Sequence, residues 1–309
     1  MILKLARRIY DGWNRFFFEP TSPATIAVFR ICFGFVIFLA VLGRYPFREM
    51  FYGEHAIVSY ETMNAYFPEP AWLYFRWLPQ SDPALNLYFL GLLAATVCLI
   101  LGFCTRLSSV LVFLGLISLS NRNLFIDNAG DDLMRINALI MMFSQAGRAY
   151  SIDRLIRRRR GLEGEALPLL TPWAQRLMQI QVAYLYADTF ILKLPGEGWQ
   201  NGTALYYALN YIELRRFRFP FMFYYLWQIK LATWGTMLGE AALAFLVWFR
   251  RLRYPILIIG VLLHLGINLT MQFPIFQYVM ITSLINFVYP EDFERWLKSL
   301  GHFRFRKGN

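Results

Sequence analysis

The chain has 309 residues, of which 57% are hydrophobic and 18% aromatic, while only 17% are charged. Soluble domains average about 45–50% apolar residues even with glycine counted, so this composition excludes a disordered chain, a coiled coil and a nucleic-acid tail. Its apolar blocks are long enough for lipid to be the solvent. A formal charge of +11, from 31 Lys and Arg against 20 Asp and Glu, then reads as a record of membrane topology.

Residues 1–18 set Ile2, Leu5, Ile9, Trp13 and Phe16 on one helical face and Lys4, Arg7, Arg8, Asp11 and Arg15 on the other. This is the pattern of an amphipathic helix lying in the membrane interface. No removable signal peptide is expected, because no compact apolar core or small-residue cleavage site follows the first basic residues. After the break at Glu19-Pro20-Thr21-Ser22-Pro23, eight candidate spans follow at 24–43, 84–103, 107–125, 132–147, 172–193, 224–248, 254–272 and 274–289, each near the ~20 residues a bilayer requires. The fourth is short and interrupted by Arg135, Asn137 and Gln145, so it is expected against other helices or a polar cavity.

With both termini in the cytoplasm, the terminal segments and the connections at 104–106, 148–171 and 250–253 carry more than twice the Lys and Arg of the opposite side. That asymmetry fixes the expected orientation, and Arg154 with the run Arg157-Arg158-Arg159-Arg160 is its strongest anchor. On the outer side, 51–80 and 199–221 are rich in Tyr, Phe and Trp, including Tyr52, Trp72, Tyr74, Phe75, Trp77, Trp199, Phe219 and Phe221. Such segments favour the headgroup layer and are expected to roof part of the bundle.

Ionisable residues inside a span cost at least ~2.5–3.5 kcal/mol at the membrane centre, so each needs a reason. Arg176 sits near a helix end and can snorkel, whereas Arg30 and Glu240 are deeper and call for a salt bridge or a clamp on backbone carbonyls. Lys230 and Glu240 are about 15 Å apart along one helix, so each is expected to find its partner on another. The train Asn123, Asp127, Asn128, Asp131, Asp132, Arg135 and Asn137 is either a helix cap with an Asp131–Arg135 ion pair or the wall of a polar pocket. Lys193 ends the fifth span beside a Pro/Gly turn leading to Trp199; it is either a snorkelling lysine or a half-buried general base. His264 is the one histidine inside a span and reads as a hydrogen-bonded contact between helices. Cys32, Cys98 and Cys104 do not make a disulfide framework. With no histidine pair at ligand spacing, P-loop or dinucleotide fingerprint, neither metal nor nucleotide is expected.

Several collinear pieces together resemble the membrane part of vitamin K-dependent gamma-carboxylase, the HTTM (horizontally transferred transmembrane) family. They are Glu19-Pro20-Thr21-Ser22 before Val28-Phe29-Arg30-Ile31-Cys32-Phe33-Gly34; Thr105-Arg106-Leu107-Ser108; Tyr150-Ser151-Ile152-Asp153; Lys193-Leu194 with Trp199 and Gly202; Gly239-Glu240-Ala241; and His264 with Phe273-Pro274 and Tyr278-Val279-Met280. The resemblance implies an integral membrane enzyme in which a lysine deprotonates reduced vitamin K or menaquinone, oxygen yields the epoxide, and the resulting base serves carboxylation of a protein glutamate. The family's lysine falls on Lys193. Where the carboxylase has an Asn-Asn-His stretch, this chain reads Asp127-Asn128-Ala129-Gly130-Asp131; Asn128 corresponds and the histidine is absent.

These readings combine into an all-α, multi-pass membrane protein with about eight transmembrane helices. Residues 1–290 form the HTTM-type domain and 291–309 a short cytoplasmic tail, with no soluble lumenal domain and hence no expected carboxylation of protein glutamate. In a bacterium it would lie in the inner membrane. Its expected catalytic residues are Lys193 and Asn128; Arg135, Trp199 and Asp131 would contact a quinone, and Arg30, Glu240 and His264 would be structural polar residues. Expected partners are membrane lipids, a quinone-like molecule and a separate soluble protein, but no nucleic acid. The competing expectation is a lipid- or quinone-binding scaffold with the fold and without the chemistry.

Overall fold

The computed structural model describes residues 2–67, 79, 81–217, 224–273 and 275–305. Among them the regular structure is helical: α1 (Ile2–Phe18), α2 (Ala24–Arg44), α3 (Arg48–Tyr52), α4 (Tyr60–Tyr66), α5 (Asp82–Leu101), α6 (Thr105–Arg122), α7 (Ala129–Phe143) and α8 (Ile152–Arg159) are followed by α9 (Trp173–Lys193), α10 (Glu197–Gln200), α11 (Ala204–Asn210), α12 (Leu226–Ala241), α13 (Arg253–Thr270), α14 (Phe276–Leu284) and α15 (Pro290–Phe305). Each of the eight expected spans is helical. The segment Ala24–Tyr52, containing α2, and the helices α5 and α13 are long and apolar enough to cross a membrane. The expected spans on α6, α7, α9, α12 and α14 fall short of that length or apolarity. On α2, α5 and α13 the outward side chains are themselves apolar, among them Phe35, Leu39, Leu87, Val97, Ile258 and Leu262. Such faces suit lipid.

The chain divides into two compact units, residues 1–176 with 289–309, and residues 177–288. In the first, α2 packs on α5, α5 on α6 and α6 on α7, while α15 lies against α2. The C-terminal segment is thus a helix over Pro290–Phe305, joined near its start to the α2 entry by Ser22 Oγ donating to Glu294 at 2.5 Å. Phe29 and Phe33, stacked 5.1 Å apart, form the interior of this unit with Phe89, Leu85, Leu99 and Met134.

A charged group sits in that interior. Arg30, wholly buried, donates from Nη1 to the Ala146 carbonyl at 2.8 Å and from Nη2 to those of Tyr150 at 2.7 Å and Ile100 at 3.4 Å. The expected clamp on carbonyls is therefore present, and it gathers the end of α5 and the α7–α8 connection around α2. Gly102, at φ +67°, ends α5; its amide bonds to Leu99 and that of Phe103 to Cys98, the glycine-ended stop that satisfies the last carbonyls. A side chain at Gly102 would also collide with the Arg30 guanidinium. Beside it, Asp153 accepts from the Cys104 and Thr105 amides, both at 2.8 Å, and from the Thr105 hydroxyl at 2.6 Å, capping α6 with a residue from α8. Tyr150 holds φ +45°, a left-handed conformation costing on the order of 1–3 kcal/mol, in place to offer its carbonyl to Arg30.

The opposite ends of the same helices have their own clamp. Arg122, nearly fully buried, donates to the carbonyls of Gly53 and Val58, and Asn123 Nδ2 donates to that of Phe51. Tyr52 is correspondingly a core residue, with its ring 5.8 Å from Phe89, while Tyr66, Tyr206, Tyr207, Tyr211 and Phe217 of the expected aromatic covers are exposed. Trp72, Tyr74, Phe75, Trp77, Phe219 and Phe221 lie outside the described residues.

In the second unit α12 and α14 pack on α13, and Gln179 of α9 donates to the Asn286 carbonyl at 2.6 Å. The segment 214–216 pairs with 270–272 through Gln272 N to Leu214 O at 2.7 Å and Arg216 N to Thr270 O at 2.9 Å.

Removing Arg30 leaves three backbone carbonyls without their donor. Arg30→Met should lower the unfolding temperature of the detergent-solubilised protein by an amount corresponding to ~3 kcal/mol, and Arg30→Lys should recover only part, because an ammonium lacks the planar fork. Equal melting temperatures for wild type and Arg30→Met would contradict the clamp.

Candidate functional site

The expected site residues separate by unit. Lys193, Trp199, Glu240 and His264 belong to the second, and Asn128, Asp131, Arg135 and Arg30 to the first.

Lys193 is the last residue of α9, and its Nζ lies 2.6 Å from both carboxylate oxygens of Glu240 on α12. It also lies 5.1 Å from the centre of the Trp199 ring. Side-chain exposures of 20% for Lys193 and 11% for Glu240 make this a half-dry pair, closed on one side by an aromatic face. The turn that carries Trp199 is held from several directions. Gly196 N bonds to the Lys193 carbonyl and Trp199 N to that of Gly196, while Gln200 Nε2 reaches the Leu194 carbonyl. Trp234 of α12 donates its indole N–H to the Trp199 carbonyl at 3.1 Å. Gly202, at φ +80°, lets the following turn press against Lys230; a Cβ there would come within 2.8 Å of Lys230 Cγ.

Directly after Glu240 and Ala241 the helix widens into a π turn over Ala242–Leu246, with Val247 N bonding to the Ala242 carbonyl. Such turns recur at functional positions because they displace a side chain from the regular helical face. Arg253 closes this end by donating to the carbonyls of Val247 and Trp248.

Deeper in the unit, Tyr186 Oη and His264 Nε2 are 2.6 Å apart and His264 Nδ1 is 2.5 Å from Gln277 Oε1. These three side chains come from α9, α13 and α14 and are all nearly fully buried. His264 is thus the expected contact between helices. Gln277 and Tyr186 were not among the expected site residues; the signal available for Tyr186 was its position two helical turns before Lys193, on the same face.

The polar train of the first unit differs from expectation in its pairing. Asn128 is the N-cap of α7: its Oδ1 accepts from the Gly130 amide at 2.8 Å, its Nδ2 donates to Asp131 at 2.7 Å, and its own amide bonds to the same carboxylate. Both ends of the side chain are engaged in shaping the helix start. Because Asp131 is turned back toward that cap it does not follow Arg135 up the helix; Arg44 of α2 pairs with it instead, at 2.5 Å. Arg135 pairs with Asp127 at 2.9 Å and with Asp132. Arg44, Tyr52, Ser120, Asn123, Asp127, Asp131 and Arg135 line a cleft with room for about one water, into which a quinone ring does not fit. Burial pushes the Asp127 carboxyl up to about 6, against the opposing pull of Arg135.

The remaining ionisable residues of the expected spans have local explanations. Arg176 donates to the Phe16 carbonyl at 3.1 Å and lies over the Phe16 ring, and Asp188 is exposed. The Lys230 ammonium lies 5.9 Å from the ring of Trp234, one turn along α12.

Helices with lipid-suited faces, together with an ion pair and a hydrogen-bonded triad inside the second unit, define an all-helical membrane protein with a buried polar centre. The HTTM domain matches residues 18–292, and the chain belongs to the HTTM family. No solved structure matches it.

If Lys193 and Glu240 neutralise each other, removing either one strands a partly buried charge, whereas removing both does not. Lys193→Met and Glu240→Leu should each lower stability by roughly 2–4 kcal/mol, and the double variant should lie closer to wild type than either single one. Thermal unfolding of the four proteins in one detergent measures the cycle; additive losses would contradict the pairing.

Proposed function

We propose that this protein binds a quinol at the Lys193–Glu240–Trp199 cluster and that Lys193 removes a proton from a quinol hydroxyl. The observation that carries this reading is the Lys193 ammonium held by both oxygens of Glu240 beneath an aromatic ring. Moving one proton along the 2.6 Å contact converts the two charges into an amine and a carboxylic acid. The amine then accepts the quinol proton. The quinolate reacts with dioxygen to give the quinone epoxide and hydroxide, so that quinol and dioxygen become epoxide and water overall. Trp199 offers a flat apolar face to the quinone ring.

The roles expected for the first unit change in this reading. Asn128 shapes the start of α7, and Asp131 and Arg135 belong to their own ion-paired cleft, so the chemistry rests on the second unit. Membrane lipid, a quinone such as menaquinone and a separate soluble protein remain the proposed partners.

The proposed topology has eight spans with both termini in the cytoplasm. Support comes from contacts within the first unit. Connections assigned to the cytoplasm bond to each other, as Thr21 with Leu170 and Cys104 with Asp153. Those assigned outside do likewise, as Arg44 with Asp131 and Arg122 with Gly53. In the second unit the pairing of 214–216 with 270–272 puts two outer connections together. The helix α1 would lie in the inner interface, with exposed Leu5, Ile9 and Trp13 directed toward lipid. In a cysteine-free background, a membrane-impermeant maleimide applied to intact cells should label Glu213→Cys and spare Glu165→Cys. The reverse pattern would overturn the orientation.

A second reading is favoured by the same ion pair, since a lysine neutralised by a glutamate also suits a scaffold in which the pair only fastens α9 to α12. The two separate in one assay. Purified protein incubated with reduced menaquinone under air should yield epoxide detectable by mass spectrometry, and Lys193→Ala should lower the yield about 100-fold or more. Quinone binding without epoxide in the wild type would favour a quinone-binding scaffold; absence of both would reject the quinol reading and leave a scaffold for other lipid.

A further inference from the structure

We propose that Gln277, His264 and Tyr186 form a proton-holding chain that serves the Lys193–Glu240 pair, an inference that rests on the reading of Lys193 as a quinol base. The directions of the hydrogen bonds carry it. Gln277 presents Oε1, which only accepts, so His264 Nδ1 bears a hydrogen. In the neutral imidazole Nε2 is then an acceptor, and the Tyr186 hydroxyl donates to it across 2.6 Å. When Nε2 gains a proton it becomes the donor and Tyr186 Oη the acceptor, while the Gln277 contact is unchanged. The chain therefore takes up one proton with both hydrogen bonds kept and only one of them reversed.

Fastening three helices does not by itself require this arrangement. Apolar side chains of similar size would join α9, α13 and α14 without the cost of burying three polar groups at 2%, 3% and 1% exposure. The position is equally specific. Tyr186 lies seven residues before Lys193, on the same face of α9 and about 10 Å along it.

The proton movement balances. After Lys193 takes the quinol proton, the pair consists of an ammonium and a carboxylic acid. The acid proton passes through water to Tyr186 Oη as the Tyr186 proton passes to His264 Nε2. Glu240 is left as a carboxylate, Tyr186 as a phenol and His264 as an imidazolium, and no electrons move. The carboxylate again stabilises the ammonium, which holds its proton and does not return it to the quinolate before dioxygen reacts. The hydroxide released on epoxidation takes up the proton from His264 along the same route and leaves as water. Tyr186, His264 and Gln277 act through Lys193 and Glu240, so they are positioning residues.

The test compares full-length wild type with Tyr186→Phe, which keeps the ring and removes the hydroxyl, in the menaquinol assay at several oxygen concentrations. The variant should bind menaquinone as the wild type does, form epoxide at least about tenfold more slowly in air, and recover much of that rate under pure oxygen, because faster capture by dioxygen competes with return of the proton. A wild-type rate in air, a loss that oxygen does not relieve, or a loss that parallels weaker quinone binding would each overturn the chain. Should Tyr186→Phe fail to elute as a folded species, His264→Gln takes the same measurement with the same outcomes. If the wild type forms no epoxide, Lys193 as a base fails and this inference with it; a Tyr186→Phe variant as fast as an active wild type rejects the proton chain alone.

Discussion

A guanidinium with no access to solvent can exist only where the protein supplies its acceptors, and Arg30 obtains them from three backbone carbonyls in two segments far from it in the chain. This requirement organises the first unit. The carbonyls of Ile100, Ala146 and Tyr150 must all reach α2. That need accounts for the glycine at the end of α5 and for the left-handed backbone at Tyr150. Asp153 adds its charge near Arg30 and in the same position caps α6, so one acidic residue closes a helix end and helps to neutralise a buried cation. The clamp at Arg122 repeats the arrangement at the other ends of the helices, again with backbone carbonyls as the acceptors.

The second unit handles buried polarity differently. Its charges neutralise each other side chain to side chain, Lys193 with Glu240, and its neutral polar groups Gln277, His264 and Tyr186 join in a hydrogen-bonded chain. A carbonyl clamp is rigid and electrically fixed. Side chains that exchange protons can have more than one charge state at little structural cost, which is the property a site for proton chemistry needs. The π turn after Glu240 and the fastened turn at Trp199 are the local adjustments that bring the pair and its aromatic cover together.

The motifs by which the chain resembles its family fall along this division. Val28-Phe29-Arg30, Thr105-Arg106-Leu107-Ser108 and Tyr150-Ser151-Ile152-Asp153 are remote in sequence and meet in the Arg30–Asp153 knot. The Lys193, Trp199 and Glu240 pieces meet in the ion-paired cluster, and His264 joins the triad. The first set maintains the fold and the second carries the proposed chemistry, a separation that motif order alone did not reveal. Asn128 illustrates the difference: the resemblance implied a catalytic role for it, and its side chain is committed at both ends to the start of α7.

Composition and apolar block length were sufficient to read a helical chain adapted to lipid and the positions of its long helices, because these depend on local periodicity and on the cost of charge in an apolar medium, while the family was read from the ordered set of short motifs. The need of Arg30 for either a salt bridge or a clamp on backbone carbonyls, and of Glu240 for a partner on another helix, was legible for the same reason. Which partner each would find was not. That Glu240 meets Lys193, that Asp131 meets Arg44 and not Arg135, and that His264 stands between Tyr186 and Gln277 depends on which helix faces are brought together. Those contacts join residues from 13 to 87 positions apart, a range over which helical periodicity gives no information about direction, and only tertiary packing decides them.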